Sequence, residues 1–266
     1  MTKLIHITDP HLVAPGEILH GLDPHARLVA CIDDILAHHG DAACCIITGD
    51  LAHRGESPAY EALRGQIDRL PFPCFPLVGN HDIRARLRTA IPQSLDDGNG
   101  FVQGRFDLGD TVLLMLDTLD EGRNGGLYCE TRQAWLAREI DRLGDRPFHL
   151  FMHHPPFDIG IPCLDRIGLS NPEPFERIAA ASPNLRHLFF GHVHRPVCGS
   201  WRGVPFSTMR GLNHQVPFDL ETISPVPKSH EPPAYAVVFL DPHQVTVHFH
   251  DYLDTSTLPA ADGGKR

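Results

Sequence analysis

The sequence predicts an α/β fold, with parallel strands alternating with helices in the first half and antiparallel strands added after the middle. Short apolar runs of strand length alternate with segments of helical periodicity through about residue 190. Paired β-type runs around a tight turn, at Gly109-Asp110 and again near the C-terminal end, read as hairpins. The 266 residues suit one large α/β or two-sheet domain with a substantial core.

In order, "KLIHIT" (3–8) reads as a strand. "DPHARLVACIDDILAHHG" (23–40) reads as a helix with Asp23 as N-cap, Pro24 at the first helical position and Gly40 as its stop. Its expected apolar face is Leu28, Val29, Ile32, Ile35 and Leu36. "AACCIIT" (42–48) is a strand, and a helix runs from about Pro58 to Leu70 after Ser57. "CFPLV" (74–78) is a strand, and a helix is expected after Asp82. "FVQGRFDL" and "TVLLMLD" form the first hairpin. A helix covers about Glu130 to Leu143 and stops at Gly144. "FHLFMH" is a strand, a helix follows Asn171-Pro172, and "RHLFF" is a strand. Beyond Gly191 come strands and proline-rich loop, then a final hairpin of "AYAVVFL" and "QVTVHFHDY". No linker or repeat divides the chain. The expected organisation is a single domain over 1–253, strand-rich from about 209, with a loose tail over 254–266.

The 33 acidic and 23 basic residues give a formal charge of -10. No Lys/Arg cluster breaks that balance, which argues against a long nucleic acid as partner. An acidic surface also repels small anions unless the site carries its own positive charge. No apolar run approaches a membrane span, and "MTKLIHITD" lacks a signal-peptide pattern, so the expected location is cytoplasmic. The seven cysteines form no C-x-x-C pair and are read as reduced core residues.

Histidine is unusually frequent, at 19 residues. His38 and His39 suit a helix C-terminus. His248 and His250 fall on one exposed strand face. His20, His25, His149, His187, His230 and His243 lack a metal-type motif and are read as ordinary surface or core residues.

Seven of the remaining histidines collect at strand ends. "TDPH" (8–11), "TGDLAHRG" (48–55), "VGNHD" (78–82), "MHHPP" (152–156) and "FGHVH" (190–194) each follow a predicted strand. Parallel strands place successive C-termini along one edge, where α/β folds bind ligands. Asp9, His11, Asp50, Asn80, His153, His192 and His194 therefore converge. Three carboxylate or amide oxygens and four imidazoles exceed one four-coordinate ion and suit two ions sharing a carboxylate. Oxygen and nitrogen donors without thiolate favour Mn, Fe, Co or Zn over Mg, Ca or a cysteine-zinc site.

D-x-H, G-D, G-N-H-D, a histidine before paired prolines, and G-H-x-H, in this order, resemble the calcineurin-like metallophosphoesterase superfamily over residues 4 to 210. "MHHPPFDIGI" and "LNHQVPF" (212–218) are most similar to its class III cyclic nucleotide phosphodiesterases and glycerophosphodiesterases. The resemblance implies a four-layer sandwich of two mixed sheets flanked by helices. It implies one metal on Asp9, His11 and His194, another on Asn80, His153 and His192, and Asp50 bridging them. It also implies hydrolysis of a small phosphodiester, of cyclic nucleotide or glycerophosphodiester type, by metal-generated hydroxide. A phosphomonoesterase or nucleotidase on the same centre, and a non-catalytic metal-dependent scaffold, are the alternatives.

His81 is expected to face the phosphate and to protonate the leaving group. Asn80, His81, His53, Arg54 and His214 are candidates for substrate contact, with a surface ion pair as the alternative for Arg54. His154 is either a support for the ligands or a loop histidine. Asp82 is either a helix cap or an orienter of His81. Segments 155–172 and 209–233 are candidate pocket walls. The strand-rich C-terminal part is a candidate homo-oligomer contact.

Overall fold

The computed structural model describes residues 1–241 and 243–256, so most of the expected tail lies outside the described residues. The chain forms two mixed sheets with helices on their outer faces.

The first sheet contains β1 (Thr2–Ile7), β2 (Cys45–Ile47) and β3 (Cys74–Pro76) in parallel. The last hairpin, Tyr235–Leu240 and Val245–His250, adds to its β1 edge in antiparallel. Right-handed crossovers need helices on one face, and α1 (Pro24–His38) and α2 (Ser57–Ile67) supply them, followed by the short α3 (Arg84–Ala90). Asp23 caps α1 by accepting from the Ala26 amide. The buried face of α1 is Leu28, Cys31, Ile32 and Ile35, with Val29 and Leu36 only half-buried. The stripe is thus turned towards Cys31, an apolar residue in practice.

The second sheet begins with the hairpin β4 (Gly104–Leu108) and β5 (Thr111–Met115). The amphipathic α4 (Glu130–Leu143) leads to β6 (Phe148–Met152). After α5 (Pro162–Asp165) and α6 (Pro172–Ala180) comes β7 (Leu185–Phe190), parallel to β6. β8 (Cys198–Trp201) and β9 (Val204–Ser207) complete that sheet. The chain returns to the first sheet with β10 (Tyr235–Leu240) and β11 (Val245–His250).

Alternation explains why β5, β6 and β7 read as unbroken apolar runs: both faces are covered. Leu113, Met115, Phe151 and Phe189 point between the sheets, into the core that also holds α1 and α2. Val112, Leu114, Leu150, Leu188 and Phe190 pack outward with Trp135 and Leu136 of α4 and Phe175 of α6. His149 and His187 share the inward period of Phe151 and Phe189, and His6 sets its ring edge-on to both phenyls at 5.6 and 5.7 Å. They are buried core histidines.

Two expectations are corrected here. The ligand-bearing strand ends do not lie along one sheet edge, because β1, β2 and β3 are in one sheet and β6 and β7 in the other. The convergence is across the top of the sandwich. Cys198 is exposed and Cys74 and Cys129 are half-buried, so only Cys31, Cys44, Cys45 and Cys163 are core residues; all seven are free thiols. No described helix is long and apolar enough to cross a membrane.

Candidate metal centre

Each strand exit delivers its polar residues through a strained or crowded turn. β1 leads to Asp9 and His11, β2 to Asp50, β3 to Asn80 and His81, β6 to His153, and β7 to His192 and His194. Five of these residues have left-handed φ: Asp9 at 51°, His11 at 44°, Asp50 at 49°, His192 at 67° and His194 at 50°. Non-glycine residues seldom adopt that conformation, and it persists where the surroundings over-determine it, as at functional sites. Two glycines are required by contact. A Cβ on Gly79 would strike the Asp50 carboxylate and the His153 ring, and one on Gly191 would strike the Thr48 carbonyl and the Thr8 hydroxyl.

Asp9 is oriented by its Oδ2, which accepts from the Thr8 hydroxyl at 2.6 Å and the His192 amide at 3.0 Å. Its Oδ1 is buried with no hydrogen-bond partner and faces His194 Nε2 at 3.2 Å. His194 Nε2 lies 3.1 Å from His11 Nε2, which is 3.5 Å from Asp50 Oδ2. The other Asp50 oxygen, Oδ1, is 3.4 Å from His153 Nε2, which is 3.3 Å from Asn80 Oδ1. The buried His192 ring packs against His153 at 5.1 Å between centroids, and its Nε2 has no hydrogen-bond partner. Asp50 thus presents one oxygen to each of two donor groups.

The tautomers follow from carbonyls, which only accept. His153 Nδ1–H donates to the Thr48 carbonyl at 2.6 Å, and His194 Nδ1–H donates to the His214 carbonyl at 2.7 Å. Each therefore turns Nε2 into the cluster. Burial pulls His153 down, but the charge of Asp50 outweighs it and lifts the imidazole to about 9. Burial pushes the Asp50 carboxyl up, but the imidazoles of His153 and His81 outweigh it and hold it well below the usual carboxylate range. Buried nitrogens and carboxylate oxygens this close repel unless a positive charge sits among them, and a metal cation meets that need as a proton does. Metal–ligand bonds of about 2.0–2.2 Å set donors roughly 3.0–3.6 Å apart around one ion. The observed 3.1–3.5 Å separations fit. The cluster of Asp9, His11, Asp50 and His194, with the orphaned Asp9 Oδ1, can hold a metal ion.

His81 stands beside the cluster. Its amide donates to Asp50 Oδ1 at 2.9 Å, and its Nδ1–H donates to the His53 carbonyl at 2.7 Å. Nε2, 4.0 Å from Asp50 Oδ2, is left for the pocket. His53 stacks on the His81 ring at 4.9 Å, and its Nδ1 is 3.3 Å from His11 Nδ1. His214 packs against His11 and His194 at 4.9 and 4.7 Å. His154, just past the end of β6, is fully buried behind His153 and His192, with Nδ1 2.8 Å from the Thr118 hydroxyl.

Three expectations change. Arg54 turns away to Glu17 and Glu56, 3.4 and 3.3 Å away, and does not line the pocket; the surface ion pair is its role. Asp82 neither caps α3 nor touches His81, because Ile83 holds the cap position and the Asp82 carboxylate points back into the core. It accepts from the amides of Leu51, Ala52 and Gly79 at 3.1, 3.0 and 2.9 Å and from the Tyr60 hydroxyl at 2.9 Å. It ties the loop carrying Asp50 to the loop carrying Asn80. Burial and the neighbouring Asp50 push this carboxyl up to about 6. His20, read as ordinary, lines the pocket with its ring 4.8 Å from His214 and its backbone at φ 54°. No sequence signal marks it, because its neighbours Leu19 and Gly21 carry no metal-type chemistry.

The cavity over the cluster holds about 350 Å³. Leu164, Ile167, Val216, Pro225 and Val226 form one wall, with Asn124 and Lys228 at its margin. All of these except Asn124 come from the two segments expected to supply walls.

The sequence matches the family model of calcineurin-like phosphoesterases over residues 2–196. It is 42% identical over 249 residues to a probable cyclic nucleotide phosphodiesterase of Rhodopseudomonas palustris, covering 92% of this chain and 91% of that one. It is 28% identical over 229 residues to a glycerophosphodiester phosphodiesterase of Enterobacter lignolyticus, covering 84% and 81%. The fold superposes on a dimetal phosphatase from Danio rerio with a TM-score of 0.70 at 16% identity, covering 93% and 95%. With two mixed sheets, a histidine–aspartate cluster between their strand ends and a family match over most of its length, the chain belongs to the calcineurin-like phosphoesterase family.

Proposed function

We propose that this protein is a dimetal phosphodiesterase acting on small diesters of cyclic nucleotide or glycerophosphodiester type. The observation that carries the proposal is Asp50, whose two oxygens face two separate donor groups, His11 at 3.5 Å and His153 at 3.4 Å. Asp9, His11 and His194 would hold one ion, Asn80, His153 and His192 the other, and Asp50 both. The donor chemistry suits Mn, Fe, Co or Zn. When bound, the ions supply Lewis-acid polarisation of the phosphate and a deprotonated water at neutral pH.

The chain's own residues do the rest. Asp9 Oδ2 and the carbonyl-bound Nδ1 atoms of His153 and His194 fix ligand orientation before an ion arrives. The His53 carbonyl holds His81 with Nε2 towards the pocket, so a protonated His81 can donate there to the departing oxygen. The apolar wall gives a second ester group a surface to rest on, which favours diesters over monoesters. Names of relatives support the same activity: a probable cyclic nucleotide phosphodiesterase at 42% identity and a glycerophosphodiester phosphodiesterase at 28%.

The test joins metal analysis to a substrate panel. Active protein is expected to carry close to two ions per chain, and Asp50→Ala to lose both occupancy and turnover. Cyclic nucleotide, glycerophosphodiester and monoester are assayed side by side. Full activity after exhaustive chelation, or a monoester with the highest kcat/KM, would overturn the proposal.

A further inference from the structure

The pocket has an uneven charge. Among the described residues lining it, Asp50 at the floor is the only carboxylate, and its oxygens face the metal cluster. None of the described residues lining it is a phenylalanine, tyrosine or tryptophan. Lys228 is the only lysine or arginine there, and it makes no ion pair with a described carboxylate. The nearby acids are otherwise engaged: Glu231 pairs with Arg195 at 3.2 Å, and Asp165 accepts from the Ile159 amide at 2.8 Å.

Lys228 is also well placed. Its neighbour Ser229 exchanges two backbone hydrogen bonds with Gln215, at 2.9 and 2.8 Å. The Gln215 side chain is clamped to the Gly211 backbone at 2.9 and 2.7 Å. The preceding residue, His214, receives the His194 Nδ1–H. The exposed Lys228 chain therefore stands on backbone tied directly to the cluster, beside the apolar wall of Leu164, Ile167, Val216, Pro225 and Val226.

We propose that Lys228 selects substrates by charge: the pocket takes diesters whose second alcohol is uncharged and partly apolar, of nucleoside type, and rejects those bearing an ammonium group. This rests on the diesterase function proposed above. Recognition of a choline or ethanolamine group needs an aromatic cage or an anion. Among the described lining residues there is no aromatic cage, the one carboxylate, Asp50, is turned to the metal cluster, and Lys228 adds a like charge. A nucleoside meets no penalty from Lys228 and covers the apolar wall.

The test uses two diesters with one leaving group, 4-nitrophenyl thymidine 5′-phosphate and 4-nitrophenyl phosphocholine. Metal-loaded wild type should favour the thymidine ester by at least about tenfold in kcat/KM. Lys228→Glu turns repulsion into attraction at an exposed position, and the preference should narrow by about 3- to 30-fold. The change should fall mainly on KM and shrink between about 0.05 and 0.5 M salt, as a screened surface charge requires. The ratio cancels any general attraction of Lys228 for the diester anion. A ratio that stays within twofold of wild type in an active Lys228→Glu enzyme would sink the charge selection alone. Equal loss on both esters would do the same and assign Lys228 to phosphate binding. Failure of loaded wild type to hydrolyse either ester would remove the diesterase function and this inference together.

Discussion

Asp82→Ala isolates a tie that holds the centre together without belonging to it. The carboxylate collects three backbone amides and one hydroxyl from two loops. Tyr60 retains a partner, because its hydroxyl also accepts from the Ile83 amide at 2.9 Å. The amides of Leu51, Ala52 and Gly79 do not, and all three residues are buried. An orphaned buried donor costs about 1–3 kcal/mol, and three together give roughly 3–9 kcal/mol before relaxation. Water entering the vacated space lowers this towards the practical ceiling of a single substitution, about 4–5 kcal/mol. At about 2–4 °C per kcal/mol for a chain of this size, Tm should fall by roughly 8–20 °C. The measurement is thermal unfolding of metal-free protein at pH 7.5, above the carboxyl's value of about 6, so that the carboxylate is charged. Metal titration should also show weaker binding, since Asp50 and Asn80 sit on the two loops that separate. A metal-free Asp82→Ala protein melting within 2 °C of wild type would refute the clamp.

Other outcomes follow from the same geometry. Gly79→Ala drives a methyl into the Asp50 carboxylate and the His153 ring, so metal analysis should find fewer than two ions per chain; full occupancy would contradict the required close approach. His81→Ala should slow diesters of alkyl alcohols by about 10²–10⁴-fold and 4-nitrophenyl diesters far less, with metal content unchanged. Equal losses on both would assign His81 to phosphate binding instead. Burial lowers His149 from 6.5 to about 3, so the folded state resists a proton that the unfolded chain accepts. Its contribution to stability is intact above pH 6.5 and is lost as pH falls, by about 1.4 kcal/mol per unit. Denaturant unfolding of metal-free His149→Leu should show a shallower acid decline between pH 7.5 and 5; an unchanged slope would show that this imidazole is not kept neutral by the fold.

The sequence by itself determined the elements and the chemistry of their exits. Alternating apolar runs and helical stripes placed nearly every strand and helix, because those periods follow from backbone geometry alone. Asp23 and Pro24 marked the start of α1 because capping is local, and the capping bond to Ala26 is present. Asp9, His11, Asp50, Asn80, His153, His192 and His194 stood out because each follows a strand, and the structure brings all seven to one end of the sandwich.

Tertiary structure alone decided how they meet. Nothing local distinguishes a parallel neighbour in the same sheet from a strand in the facing one, so the division of exits between two sheets was not legible. Asp82 followed by Ile83 and Arg84 looks like a cap; only the fold brings Leu51 and Tyr60 within reach and turns the carboxylate inward. Arg54 looks like a phosphate ligand until Glu17, 37 residues away, takes it. His20 gains its place from contacts about 200 residues away in the chain, with the His214 ring and the His230 side chain, and Lys228 from the pairing of Ser229 with Gln215. Those contacts exist only once the 226–230 segment has packed beside His214, because side-chain direction in a loop is set by what the loop rests on and not by its own sequence.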